Sequence, residues 1–345
     1  MTSALLIGRW LVLIGLVLAV TSVVIAAAGG DPGQVGMALV RGSLGSQLGR
    51  VLATVAPLLL TSSGLLLTFA TRLYNLGVEG QMMIGAIATT GLMRWAEGQI
   101  PPAVGIPLGL VAGALGGLGW GLLTGCLYWF AGISEIFAGL GLNFVATGAG
   151  IWLIFGPWQR QGIASMSGTA PLDPAYRLPA WGDASPVALG LGVLALVGVM
   201  AVMQTTLVGL RLRAVGHNPQ AAFVLGIPTR GYVLGAFAGC GLLAGLAGAV
   251  QVLGVFHRLI PNISSGLGFL GLLVVLLVRA NPWGVLPVVV FFAALNVGSL
   301  QLPLSLNLES SLAGVIQGVL VLVALLGQAH PKPKLPLADR NNLSS

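Results

Sequence analysis

Long apolar runs broken by short polar segments dominate the chain. They fall at about 8–28, 50–70, 78–95, 103–130, 135–156, 186–207, 231–255, 266–279, 284–301 and 310–327. A bilayer-crossing helix needs about 20 mostly apolar residues. The pattern therefore predicts an all-α polytopic membrane protein with about ten transmembrane helices, forming one transmembrane domain over residues 1–345. The eighth and ninth runs are short and abut at Arg279-Ala280-Asn281-Pro282, which leaves a re-entrant pair open there. Three other segments are expected outside the bilayer. They are a Pro- and aromatic-rich external loop over about 157–185, an internal loop over about 208–230, and a polar tail over 328–345.

Composition removes the alternatives to a membrane protein. Only 7% of residues are charged, where soluble domains carry about 25%. Hydrophobic residues make up 56%, which excludes a disordered chain. The net charge of +7 comes from basic residues scattered singly between apolar runs, so it reads as membrane orientation and not as a nucleic-acid surface. Cys126 and Cys240 lie inside apolar runs and suggest neither a disulfide framework nor a metal cluster. The first run ends in Ala26-Ala27-Ala28 like a signal peptide, but it is long enough to span and more spans follow.

Orientation follows from Lys and Arg. With the N-terminus inside, the cytoplasmic side receives Arg9, Arg72, Arg211, Arg213, Arg230, Arg279, Lys332, Lys334 and Arg340. The outside receives Arg41, Arg50, Arg94, Arg160, Arg177 and Arg258, so the balance is nine to six for both termini cytoplasmic.

Glycine predicts the packing. Gly105, Gly109, Gly113, Gly117, Gly121 and Gly125 recur at every fourth position of the fourth run. At 3.6 residues per turn each step drifts by about 40°, so the ridge winds and offers close approach to different neighbours at its two ends. Gly231, Gly235 and Gly239 repeat the spacing on a shorter scale. A weak internal duplication is also visible: Arg72-Leu-Tyr-Asn75-Leu-Gly77-Val78 and Arg279-Ala-Asn281-Pro-Trp-Gly284-Val285 each follow one apolar run and open another.

Catalytic chemistry finds no support. His217, His257 and His330 lie far apart, and no His, Cys or acid group has metal-ligand spacing, so neither a catalytic residue nor a metal site is expected. A Walker A loop needs lysine, and the only lysines are Lys332 and Lys334 in the tail. If ATP drives this protein, another chain binds it. The most unusual membrane stretch is Asn75-Leu76-Gly77-Val78-Glu79-Gly80-Gln81, near the expected inner interface. Its polar side chains either satisfy backbone groups at a helix break or meet cargo or a gate.

The internal loop carries a helix signal. Asn218 is suited to the N-cap, Pro219 to the first helical position and Gly226 to the stop. Arg211 and Arg213 precede this short helix, which is either a surface connector or a plug for a partner's groove.

These residues bring a resemblance into view. Asn75–Gln81 resembles the N-x-G-x-E-G-Q signature of permeases of ATP-binding cassette (ABC) importers for nucleosides and simple sugars, the ribose-type permease family. The run from Arg213 through Gly216, Asn218, Pro219 and Ala222 to Gly226-Ile227 is similar to that family's ATPase-coupling loop. Gly132-Ile-Ser134-Glu135, Leu142-Asn143-Phe144, Ile260-Pro261 through Gly268-Phe269, and Asn281-Pro282-Trp283-Gly284 match in family order over about residues 55–300. Ser134, where the family usually has Asn, and the Gly-rich fourth run depart from it. The resemblance implies a permease in the plasma (inner) membrane, paired with a second permease, the same or homologous. Two cytoplasmic ATPases would hold ATP and magnesium, this chain would carry no cofactor, and an extracytoplasmic solute-binding protein would deliver cargo.

An alternating path between two permeases is expected to meet some of Asn143, Gln251, Asn296 and Gln317, each isolated in an apolar run. These side chains can equally serve as hydrogen bonds between helices. The competing reading is an ion-coupled secondary transporter of a small neutral solute. Its coupling acid would have to be Glu79, with Glu135 at an inner loop. A membrane-embedded enzyme would need a reactive cluster, and none is visible.

Overall fold

The computed structural model describes residue 15 and residues 18–45, 47–160, 168–306, 308–309 and 311–328. The start of the first run with Arg9, part of the external loop and nearly all of the tail lie outside the described residues.

In chain order the helices are α1 (Leu18–Ala27), α2 (Pro32–Leu44), α3 (Leu48–Ala70), α4 (Val78–Ala96), α5 (Pro102–Ala131), α6 (Glu135–Phe155) and α7 (Pro186–Thr205). They continue with α8 (Leu207–His217), α9 (Pro219–Val224), α10 (Thr229–Val250, extended by a π-helical turn Gln251–Phe256), α11 (Leu267–Leu277), α12 (Val285–Gly298), α13 (Leu302–Leu306) and α14 (Leu312–Gln328). The architecture is all-helical, as expected.

The count of about ten spans is approximate. Among the described residues six helices are long and apolar enough to cross a bilayer: Leu48–Ala70, Pro102–Ala131, Glu135–Phe155, Pro186–Thr205, Thr229–Phe256 and Pro282–Leu306. A seventh results if α1 and α2, bent by 102° at a short break, form one broken span. Two of the other predicted runs are shorter or more polar helices. α4 has 19 residues but starts with the polar Glu79 and Gln81, and α11 has 11 residues, too few to cross. The internal loop is itself helical over α8 and α9, because Thr206 and Asn218 both accept from backbone N–H groups as N-caps.

α3 is the most enclosed span; it packs against α7, α10, α11 and α12. α10 packs against α3, α4 and α5. The glycine ridge of α5 makes this closeness possible. A Cβ at Gly117 would overlap the Gly241 carbonyl and the Gly245 backbone of α10, and one at Gly121 would overlap the Phe237 carbonyl. At the other end of the ridge Gly105 faces Tyr176 and Gly109 faces Met93, so the neighbours do change along the helix. The shorter triplet does not pack as expected. A Cβ at Gly231 or Gly235 meets nothing within 4 Å, and one at Gly239 meets only Leu67. The glycines of α10 that bring backbones together are Gly241, Gly245 and Gly248. A period of four marks a ridge, but the helix's rotation decides what that ridge faces.

The duplication is conformational as well as sequential. Arg72 (φ 58°) and Arg279 (φ 53°) are both left-handed and sit two residues past the ends of α3 and α11. Behind each, an N–H reaches back five residues: Leu73 to the Thr68 carbonyl, and Ala280 to the Val275 carbonyl. This is the Schellman arrangement. Asn75 and Asn281 then each accept from the N–H two residues on, Gly77 and Trp283, before α4 and α12 begin.

Candidate functional site

The Asn75–Gln81 stretch lies deeper than its sequence position implied. The Asn75 amide donates to Cys240 Sγ at 3.1 Å. Cys240 is eleven residues past Thr229, the start of α10, or about 16 Å along it at 1.5 Å per residue. Gly248 of α10 then abuts the Met82 carbonyl, so α4 climbs alongside α10 from that level. The chain leaves α3, turns at Arg72 and re-enters the bundle before α4 forms.

Each polar residue of the stretch has a defined partner. Asn75 Nδ2 donates to Gln81 Oε1 at 3.0 Å, and Gln81 Nε2 donates back to Asn75 Oδ1 at 3.2 Å. Both side chains are fully buried. Asn143 of α6 clamps the same turn: its Nδ2 donates to the Leu76 carbonyl and its Oδ1 accepts from Gly80 N–H, both at 2.7 Å. Gly77 and Gly80 leave room for α6, since a Cβ at Gly80 would stand 2.7 Å from Asn143 Oδ1.

Glu79 reaches in another direction. Gly266 N–H donates to its Oε1 at 3.0 Å and Gly268 N–H to its Oε2 at 2.8 Å. The N-cap of α11 is Gly266, a left-handed residue that supplies no side-chain cap. A carboxylate from α4 therefore caps α11, where the free N–H groups and the helix dipole both favour an anion. Seven consecutive residues thus tie α4 to α6, α10 and α11.

The second cluster surrounds α8 and α9. Asn218 Oδ1 accepts from Ala221 N–H at 3.0 Å, Pro219 occupies the first position, and Gly226 (φ 80°) ends the turn as expected. Ala222 is buried with Val215, Val233 and Phe237. The rest of the tip points away: Phe223, Val224 and Leu225 are 70%, 84% and 78% exposed. Gly216 rests on the end of α3, where a Cβ would overlap the Ala70 carbonyl. Arg211 donates to the Tyr232 hydroxyl at 3.2 Å, and Arg72 Nη2 meets His217 Nδ1 at 3.1 Å. Arg213 lines a cleft with Arg72 and His217.

The four isolated polar residues are not gathered into one site. Asn143 is committed to the clamp. Gln251 is buried in the π-helical turn, Asn296 is half-buried on α12, and Gln317 is buried on α14 with its Nε2 lacking a hydrogen-bond partner among the described residues. Among the described residues no group of three or more His, Cys, Asp or Glu could hold a metal. Sequence reading missed Cys240, Gly266 and Gly268 as partners of the polar stretch. The usable signal was Ser264-Ser265-Gly266 ahead of an apolar run too short to cross.

A polytopic helical bundle with a deep polar turn and an exposed capped helix has the construction of a membrane transport component. The family of permease components of branched-chain amino acid transport systems matches residues 47–325, and the chain belongs to it. It is a multi-pass membrane protein and a transport subunit, not an enzyme. It is 28% identical to the glucose ABC transporter permease protein TsgB13 of Haloferax volcanii, over 93% of this chain and 87% of that one. It is 26% identical to the guanosine ABC transporter permease protein NupP of Bacillus subtilis, over 80% of each. With the nucleoside ABC transporter permease protein NupC of Lactococcus lactis it shares 30% identity, over 79% of this chain and 90% of that one.

Proposed function

We propose that this chain forms half of the path of an ABC importer for a nucleoside or simple-sugar-like solute. Partner ATPases hold ATP and magnesium, a second permease completes the path, and an extracytoplasmic binding protein supplies the cargo. The membrane is the plasma (inner) membrane, with both termini and α9 on the cytoplasmic side. The cargo class rests on the named relatives.

The observation that carries the reading is the tip of α9. Three consecutive large apolar side chains project from a capped helix whose inner face is anchored by Ala222. An exposed apolar patch on an ordered element marks a protein contact, and a helix laid in a partner's groove is a recurring recognition mode. Movement imposed there passes to α3 through the Gly216–Ala70 contact and to the polar turn through Arg72. It also passes to α10 and α5 through Phe237. Asn75, Gly77, Glu79, Gly80 and Gln81 act as the hinge and gate of this relay. Replacing residues 216–226 with a flexible Gly/Ser linker should leave the two permeases assembled but stop ATP-driven uptake in proteoliposomes. Undiminished uptake by that variant would refute the coupling role.

A further inference from the structure

A cleft of about 280 Å³ opens between the ends of α3 and α7, the last turns of α8 and the α11–α12 turn. Its wall is apolar, from Leu66, Phe69 and Met203, and its mouth carries Arg72, Arg213 and His217. No described carboxylate lines it. Arg213 makes no hydrogen bond or ion pair among the described residues. Arg72 adopts a left-handed backbone conformation, which is sterically strained for an L-residue.

The surroundings fit a bilayer boundary. α3 and α7 are apolar spans that both end at this cleft. Leu207, Val208 and Leu210 are exposed on α8 beside Arg211 and Arg213, the pattern of a helix lying at an interface. Trp283, next to the lining residue Pro282, is 71% exposed, as interfacial tryptophans are.

We propose that this cleft binds the head group of an anionic phospholipid of the phosphatidylglycerol or cardiolipin type. The phosphate meets Arg72 and Arg213, and the start of an acyl chain lies along Leu66, Phe69 and Met203. Arginine matches phosphate with paired donors, and basic pockets between membrane helices are the setting in which such lipids bind. The lipid would sit behind the coupling helix, against the Arg72–His217 contact, so its presence would stiffen the link from α8 to the polar turn. The inference rests on these helices being membrane spans and is independent of the cargo.

The test uses the complete transporter in nanodiscs of equimolar phosphatidylglycerol and phosphatidylcholine, delipidated in steps, with the last retained lipids counted by mass spectrometry. Wild type should retain phosphatidylglycerol preferentially. Arg72→Gln and Arg213→Gln should each cut that preference about fivefold, the factor corresponding to roughly 1 kcal/mol per basic residue. Arg213→Lys, and Arg94→Gln at the far end of α4, should keep it. If an arginine variant does not assemble, Gln204→Glu, which places a carboxylate on the exposed rim of the cleft, should lower the preference in a folded protein. An unchanged preference in Arg213→Gln or Gln204→Glu would overturn the proposal. So would displacement of the lipid by millimolar inorganic phosphate, which would make this a soluble-anion site, or its loss whenever the ATPases bind.

Discussion

Gly268 of α11 donates its N–H to the carboxylate of Glu79 on α4 at 2.8 Å, across 189 positions of sequence. With the Gly266 bond, the charge of one helix completes the N-terminus of another inside the bundle. A hydrogen bond to a charged group contributes about 1.5–3 kcal/mol, and truncating one partner strands the other without water. Glu79→Ala is therefore expected to destabilise the purified permease by about 2–4 kcal/mol, read as a lowered melting temperature in detergent. Glu79→Gln should fall between it and wild type. If Glu79 were an ion-coupling acid, Glu79→Gln would lose transport at unchanged stability.

The α5–α10 seam makes a paired prediction. Gly117→Val would place methyl groups into the backbone of Gly241 and Gly245, an overpacking that costs about 1–3 kcal/mol or more. Gly235→Ala on α10 meets open space and should gain up to about 1 kcal/mol from helix propensity. Thermal unfolding of the two variants side by side separates a packing glycine from one that merely shares its spacing.

At α9, Asn218→Ala removes the Ala221 cap and should cost about 1 kcal/mol of local helix stability. α9 has only six residues, so its population in the free permease should fall, with faster amide exchange over 219–224. Val224→Asp leaves the fold alone, because Val224 is 84% exposed, but should weaken ATPase capture in a pull-down.

His257 follows the π-helical turn and packs against the 168–185 segment, where Leu172 N–H donates to its carbonyl at 2.8 Å. Burial, aided by the nearby Arg177 charge, holds its imidazole below the ordinary histidine range. The folded state then binds fewer protons than the unfolded state, so stability is full above the unfolded pKa and falls as pH drops through about 6.5. His257→Gln should flatten the melting temperature between pH 8 and pH 5, whereas wild type declines.

Sequence reading succeeded where the physics is local. Asn218, Pro219 and Gly226 specify a cap, a first turn and a stop within nine residues, and α9 follows them. The Gly105–Gly125 ridge was visible because period four is itself a packing surface. The depth of Asn75–Gln81 was not visible, because it depends on α4 rising beside the middle of α10. Nor was the role of Glu79 legible: its partners lie in a segment read as part of a span, and only the fold brings that uncapped helix start to the carboxylate. Gly231, Gly235 and Gly239 misled for the converse reason, since spacing records no rotation.

The most direct test of the account is uptake of labelled nucleosides and sugars into proteoliposomes holding the permeases and ATPases, with the binding protein outside. The account predicts accumulation that requires ATP and the binding protein and is indifferent to sodium and proton gradients. Accumulation driven by an ion gradient without ATP would contradict it.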